Sequence, residues 1–487
     1  MLTQNGCVLS PDFIIRIGTE GMRKIKKKFT ITTMGHNNIP KIISSFKKIV
    51  INGEQRIVIP RFGGFLLQKI EAIDELKNNL HLGEDIKIQT TNLHLTQNQE
   101  NLLDHLIEVI YDESNVTKGS SSCIVQMDPG YGKTYLAMGL INNIKKKTFI
   151  IVPNTYLLNQ WVEALEMAFP CNYIGLYYGK KKLDGDIIVS VLNSALNYPL
   201  EEYAKCGLVI YDEVHMYCSS KSSAIFNVAQ STRCLGITAT PAERTDKFDK
   251  VATWALGEVI RADSIIGWST ESNTFNTIVK CIRYNGHPDH TRIMESKAGI
   301  VSVPLLMNQI QNDPYRNNLI IAHALELYEM GRNIFIFSDR REHLLTLARL
   351  LDAKRIEYEA PELKDDIKTL MGGSTKEDIE TAKSTSRVIL TTYQYSGTGV
   401  SINKMDSLIL ATPRKSNMKQ ILGRIYRLSG NNNIVRHIID IIDNRLCLKS
   451  QFYTRKKTYI GLNATIDVFT VKWSSYEINP TIAGDVL

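Results

Sequence analysis

One short stretch restricts the fold more than the rest of the chain does. The apolar run Cys123–Gln126 leads into Met127-Asp128-Pro129-Gly130-Tyr131-Gly132-Lys133-Thr134, and then into the helix-like Tyr135-Leu136-Ala137-Met138-Gly139-Leu140. Strand, glycine-bearing loop, Gly-Lys-Thr and helix together make a phosphate cradle. The glycines let successive backbone N–H groups curl around a β-phosphate, and the positive end of the helix dipole faces it. Lys133 supplies a charge between the β- and γ-phosphates, the Thr134 hydroxyl is placed to ligate Mg²⁺, and Met127 to Gly132 line the loop. Met127 stands where this pattern usually begins with glycine, but the two glycines nearest the phosphates remain.

The surroundings fit such a loop. Cys123–Gln126, Thr148–Val152, Ile187–Val191, Leu208–Tyr211 and Cys234–Thr238 are short, continuously apolar runs separated by amphipathic stretches. That rhythm predicts a buried parallel sheet built from βαβ units. It returns in Asn333–Phe337, Val388–Thr391, Ser407–Leu410 and His437–Ile442, so two α/β domains in tandem are expected. Residues 1–88, with β-like runs at Arg56–Pro60 and Phe65–Leu67, read as a small mixed accessory domain. The expected division is 1–88, 89–260, a connecting segment 261–330, 331–450, and a C-terminal extension 451–487.

A carboxylate pair completes the first domain. Leu208-Val209-Ile210-Tyr211 drives a central strand, and Asp212 and Glu213 emerge at its C-terminal end, where open α/β sheets bind ligands. Asp212 is placed to hold Mg²⁺ and Glu213 to orient and deprotonate an attacking water, since phosphoryl transfer needs positioning and charge control more than covalent help. In the second domain Gln420, Gly423, Arg424 and Arg427 fall on one face at helical spacing. Two arginines there, with glycine permitting close approach, form a clamp for phosphate oxygens of the arginine-finger kind. A solvated basic helix face is the plainer alternative.

Asp212-Glu213-Val214-His215 is also where the chain resembles the superfamily 2 helicases of the DExH type. Leu95-Thr96-Gln97-Asn98-Gln99 resembles the upstream motif whose glutamine reads adenine. Ile151-Val152-Pro153-Asn154-Thr155 resembles the motif whose loop, here Pro153 and Asn154, touches the nucleic-acid backbone. Thr238-Ala239-Thr240-Pro241 is similar to the motif linking hydrolysis to strand binding, which implies coupling roles for Thr238 and Thr240, with His215 and Gln420 beside them. Phe335-Ile336-Phe337-Ser338 and Thr391-Thr392 through Gly397-Thr398-Gly399 resemble two second-lobe motifs. They imply strand contacts at Ser338, Thr391 and Thr392 and a nucleotide contact at Gly399. Gln420 to Arg427 matches QxxGRxxR in full. Where many relatives have aspartate two residues after Gly399, this chain has Ser401, which weakens or moves that contact.

The resemblance covers roughly residues 90–445. Its finer features, Tyr395 to Gly399, Ser407 to Arg414 and Asn417 to Arg424, are similar to the transcript-release helicases of poxviruses and of other large nucleocytoplasmic DNA viruses, which are XPB-like. It implies two RecA-like lobes, ATP and Mg²⁺, a DNA or RNA track, and a viral RNA polymerase or transcription factors as partners. It also implies a host-cytoplasmic viral factory, and the virion, as locations. Two rivals stay open: a motor-shaped docking or structural subunit with weak ATPase, and a duplex translocase that separates no strands.

Composition excludes some classes. With 487 residues, 43% of them hydrophobic and 22% charged, the chain reads as a soluble multidomain protein without a membrane span or secretory leader. Its eight scattered cysteines read as reduced thiols in an intracellular compartment. The net charge of +8 is concentrated at the start, where residues 1–70 carry twelve Lys/Arg against three acids. A basic head on a near-neutral body suggests a polyanion partner, or else a solvated lysine-rich surface.

Overall fold

The computed structural model describes residues 1–34, 40–51, 53–71, 76–89, 91–239, 249–268, 275–292, 302–357, 366–397, 402–414, 418–426, 434–443 and 446–472. The chain divides into two compact units, Met1–Ser269 and Thr270–Leu487.

The first unit begins with a small sheet of Leu2–Thr3 (β1), Gly6–Val8 (β2), Lys47–Ile51 (β5) and Glu54–Ile59 (β6), in the order β1-β2-β6-β5 and antiparallel. The hairpin Thr30–Met34 (β3) and Pro40–Ser44 (β4) and the helices Pro11–Lys28 (α1) and Arg61–Glu71 (α2) join it. The expectation of a strand at Phe65–Leu67 is wrong, because these residues lie inside α2. The reason is close packing: a Cβ on Gly63 would come 2.7 Å from the Phe29 ring, and one on Gly64 2.6 Å from Cys7 Sγ. Two adjacent glycines thus let a helix press onto the sheet where a strand would have shown only alternate side chains.

This head is built into the unit that follows it. Arg61 is buried, and its guanidinium donates to the carbonyls of Gly119, Ser231 and Thr232 at 2.7–2.8 Å. Phe29 meets Trp254 edge-on at 5.3 Å, and Ile31 and Ile43 join a core with Phe149, Val209 and Leu256. A buried cation satisfied by carbonyls has no other place to put its donors, so its loss would leave acceptors unpaired.

The large sheet of unit one contains Ser122–Gln126 (β7), Thr148–Val152 (β8), Ile174–Tyr178 (β9), Lys181–Leu183 (β10), Ile187–Val191 (β11), Leu208–Asp212 (β12), Arg233–Thr238 (β13) and Val259–Arg261 (β14). Their order is β10-β9-β11-β8-β12-β13-β7-β14, parallel except for the β9–β10 edge pair. Both faces are covered. In β12, Leu208 and Ile210 enter one core while Val209 and Tyr211 enter the other. Each such buried aliphatic side chain contributes about 1.5–3 kcal/mol. This explains why a continuous apolar run is needed.

The second unit has a seven-stranded parallel sheet of Thr277–Asn285 (β15), Ile334–Ser338 (β16), Ile367–Leu370 (β17), Val388–Thr392 (β18), Ser407–Leu410 (β19), Arg436–Asp443 (β20) and Thr465–Lys472 (β21), in the order β17-β18-β16-β19-β20-β15-β21. β15 falls in the range read as a connection and β21 in the range read as an extension, yet both are full sheet members. Among the described residues, no helix is long and apolar enough to cross a membrane.

Candidate active site

Parallel strands bring their following loops to one edge, and in unit one that edge collects the polar residues singled out in the sequence. Gln126 of β7 lies in register with Thr238 of β13, and Asp212 of β12 with Ile237. The loop after β7 leads into the helix Lys133–Ile144, which is preceded by Gly132 at φ +78, with Gly130 at φ +90. Those left-handed conformations suit glycine. Met127 is not among the positive-φ residues and is buried in the core, so this position asks for apolar volume and not for glycine. Its N–H donates to the Thr238 carbonyl at 3.0 Å, and its carbonyl accepts from Lys133 Nζ at 3.3 Å. Asp128, Pro129, Tyr131 and Thr134 are half-buried along the same loop.

Gln99 sits behind the cradle. Its Nε2 donates to the carbonyls of Tyr131 at 2.8 Å and Gly132 at 3.3 Å, while Oε1 accepts from the Thr96 N–H. A Cβ on Gly132 would lie 2.3 Å from Gln99 Nε2. The glutamine therefore braces the loop, a role with no local sign in the sequence.

Asp212 is buried, with Oδ2 accepting from Trp161 Nε1 and Oδ1 from the Glu213 N–H, each at 2.9 Å. Burial pushes its pKa up to about 7 and the Glu213 charge adds to this, while the Trp161 N–H, Lys133 and the Glu213 N–H oppose it. Glu213 holds φ +50, ψ 48, a left-handed conformation that costs about 1–2 kcal/mol in a non-glycine residue. Strain of this kind gathers at functional sites, where the surrounding structure fixes it. Its Oε2 is buried without a hydrogen-bond donor among the described residues, 3.3 Å from His215 Nδ1. That nitrogen lies 2.9 Å from Thr238 Oγ1. A chain of contacts thus runs from Glu213 through His215 to the end of β13. Nothing local in the sequence marks the N–H that Trp161, in the helix Thr155–Ala168 after β8, gives to Asp212.

The donor set fits ATP and Mg²⁺. The glycine turns at Gly130 and Gly132 lead straight into the N-terminus of the helix Lys133–Ile144, and a hydroxyl (Thr134) and a carboxylate (Asp212) are the kinds of oxygen donor that Mg²⁺ would take.

The remaining predicted residues are placed as follows. Asn154 caps the helix Thr155–Ala168, its Oδ1 accepting from the Leu157 N–H at 3.0 Å, and Pro153 precedes it half-buried. In unit two, Ser338 is buried with its hydroxyl 3.0 Å from His343 Nδ1 and accepting from the Arg340 N–H. Thr391 is buried, and the Thr392 hydroxyl accepts from the Tyr395 N–H. The helix carrying Gln420 ends at Leu422, and tight turns follow, Arg424 N–H reaching the Ile421 carbonyl and Ile425 N–H that of Leu422. Arg424 is buried there, so its position comes from a turn and not from a continued helical face. Thr240, Gly399 and Arg427 lie outside the described residues.

The model of the family described as "Type III restriction enzyme, res subunit" matches residues 70–243. The protein QP509L of African swine fever virus (isolate Tick/Malawi/Lil 20-1/1983), named as a candidate ATP-dependent RNA helicase, is 33% identical over 359 residues, spanning 69% of this chain and 68% of that protein. The chain belongs to the superfamily 2 DExH helicases. This helicase is also 25% identical over 413 residues to the transcript termination protein A18 of Yaba-like disease virus, covering 79% of this chain and 81% of that one. Among solved structures it is similar to Dbp5 of S. cerevisiae bound to RNA and ADP BeF3, with TM-score 0.50 and 12% identity over 79% of this chain and 96% of that chain. That likeness carries the fold, two RecA-like α/β domains. Membership of the family makes this helicase an ATP-hydrolysing enzyme.

Proposed function

We propose that this helicase is an ATP-driven nucleic-acid motor that acts in the transcription of a large DNA virus, as a transcript-release or termination factor. The observation that carries the motor reading is the strained, half-buried Glu213 at the end of β12, its Oε2 buried and joined through His215 to Thr238. In this reading Lys133 binds the phosphates, Thr134 and Asp212 hold Mg²⁺, and Glu213 takes the proton of the attacking water. Mg²⁺ supplies charge neutralisation of the phosphate oxygens. Arg424 and Arg427 serve as arginine fingers, and His215 with Thr238 passes the state of the site towards the strand-binding loops. The transcription role is supported by the likeness to A18, whose name assigns it to transcript termination.

The test is ATPase activity measured in parallel with no nucleic acid, single-stranded DNA, duplex DNA and RNA, followed by transcript release from stalled elongation complexes. Stimulation by at least one nucleic acid and ATP-dependent release are expected. A low rate indifferent to all three would favour a docking subunit, and stimulation without release would separate the motor from its proposed role.

A further inference from the structure

The basic head contains a helix whose charges the fold itself does not require. In α1, Gly18 at φ +63 breaks the helix, and the segment beyond it buries Met22 and Ile25, followed by Phe29. Arg23, Lys24, Lys26, Lys27 and Lys28 are all exposed. At 100° per residue these five cations spread over about 200° of the helix, which is nearly the whole face turned to water. Basic residues in a last turn suit the helix dipole. Here, however, Arg23 with Lys26 and Lys27, and Lys24 with Lys27 and Lys28, are like charges at i,i+3 and i,i+4, which weaken a helix. Glu20, 3.8 Å from Arg23, is the one acid paired with this group among the described residues. Such an arrangement is relieved by an anionic partner.

We infer that this face of α1 grips the phosphate backbone of B-form duplex DNA without sequence preference. Single-strand platforms stack bases on exposed aromatic rings, but the aromatic residues here, Phe13 and Phe29, are buried. Cations on both flanks of one helix suit two rows of phosphate bordering a groove about 12 Å wide, whereas the deep, narrow major groove of A-form RNA admits no helix. The grip is rigid with respect to the first lobe, because Arg61, Phe29 and Ile31 lock the head onto it. The inference rests on the nucleic-acid part of the proposed function, yet it concerns affinity and not turnover.

The same locking makes deletion of residues 1–88 a poor test, since it would strip a core. The full chain with Lys24, Lys26, Lys27 and Lys28 all changed to Gln keeps every buried side chain. Fluorescence anisotropy on a labelled random-sequence duplex should give a log K against log[salt] slope shallower by roughly 2 to 4, at about 0.9 for each phosphate no longer neutralised. Affinity for a single strand or an RNA duplex of equal length should change much less. Basal ATPase should be unchanged, and Lys26→Glu/Lys27→Glu should weaken duplex binding further still. An unchanged duplex slope with an intact thermal melt overturns the inference, as does an equal loss on all three ligands. Failure of the motor reading looks different: duplex binding would still depend on these lysines while no nucleic acid stimulated ATP turnover.

Discussion

Strands β12 and β20 are two versions of one sequence idea, an apolar parallel strand with acids at or near its end, and they use those acids in opposite ways. In β20, Asp440 accepts two hydrogen bonds at 2.8 Å from Arg455 and one from the Tyr459 hydroxyl, and Asp443 is gripped at 2.8 and 3.0 Å by Arg316. All four charged side chains are buried. In β12, Asp212 is equally buried but rests on a Trp N–H and a backbone N–H, and among the described residues no arginine pairs with it. The charges of β20 are paired within the fold, while the Asp212 carboxyl of β12 has two N–H donors and the more distant charge of Lys133. Burial alone therefore does not tell the two kinds of carboxylate apart; what surrounds them does.

That contrast makes Lys133→Ala and Arg427→Ala the changes of largest effect. Each should lower kcat about 10³-fold or more, Lys133→Ala with loss of ATP binding and Arg427→Ala with ATP affinity within a few fold. Retained turnover in either variant removes that residue from the site. Arg455→Ala should act the other way, on stability first. Leaving Asp440 buried and unpaired costs about 3–5 kcal/mol, seen as a lower denaturation midpoint and faster hydrogen exchange along β20. If it melted like the parent, the pair would not be structural.

Asp212→Asn sharpens the comparison through pH. A carboxyl whose folded pKa is raised stabilises the fold while protonated, and that contribution is lost as pH rises through about 7. The parent should therefore lose stability between about pH 4 and pH 7, and the variant should lose less; thermal melts of both across that range decide it. If Asp212 holds Mg²⁺ as its carboxylate, ATP–Mg²⁺ affinity of the parent should rise over the same range. The smallest effect is expected of Trp161→Phe, which keeps the ring packing and removes one hydrogen bond to Asp212. A fall of roughly tenfold in kcat is expected, and an unchanged pH profile would mean that Trp161 only packs.

How much of this was legible follows from the same chemistry. β7, β8, β12 and β13 were readable because full burial on both faces demands unbroken apolar runs, and the cradle because glycine and lysine spacing is local. β15 and β21 were not. Thr277–Asn285 and Thr465–Lys472 mix polar with apolar residues, as strands near a sheet edge can, so neither continuous burial nor a helical period announced them. Partnerships across the chain left no trace either. Nothing near Arg61 foretells three carbonyls more than fifty residues away, and nothing near Gln99 foretells that its amide would be spent on Tyr131 and Gly132.

Glu213→Gln tests most directly whether the acids at the end of β12 do chemistry that those of β20 do not. Gln keeps the shape and the left-handed turn but cannot take a proton from water. ATP binding, and ATP-dependent binding of nucleic acid, should stay within a few fold of the parent, while turnover measured in a single cycle falls about 10³-fold or more. Turnover near the parent's rate, or loss of ATP binding equal to that of Lys133→Ala, would contradict the role given to Glu213.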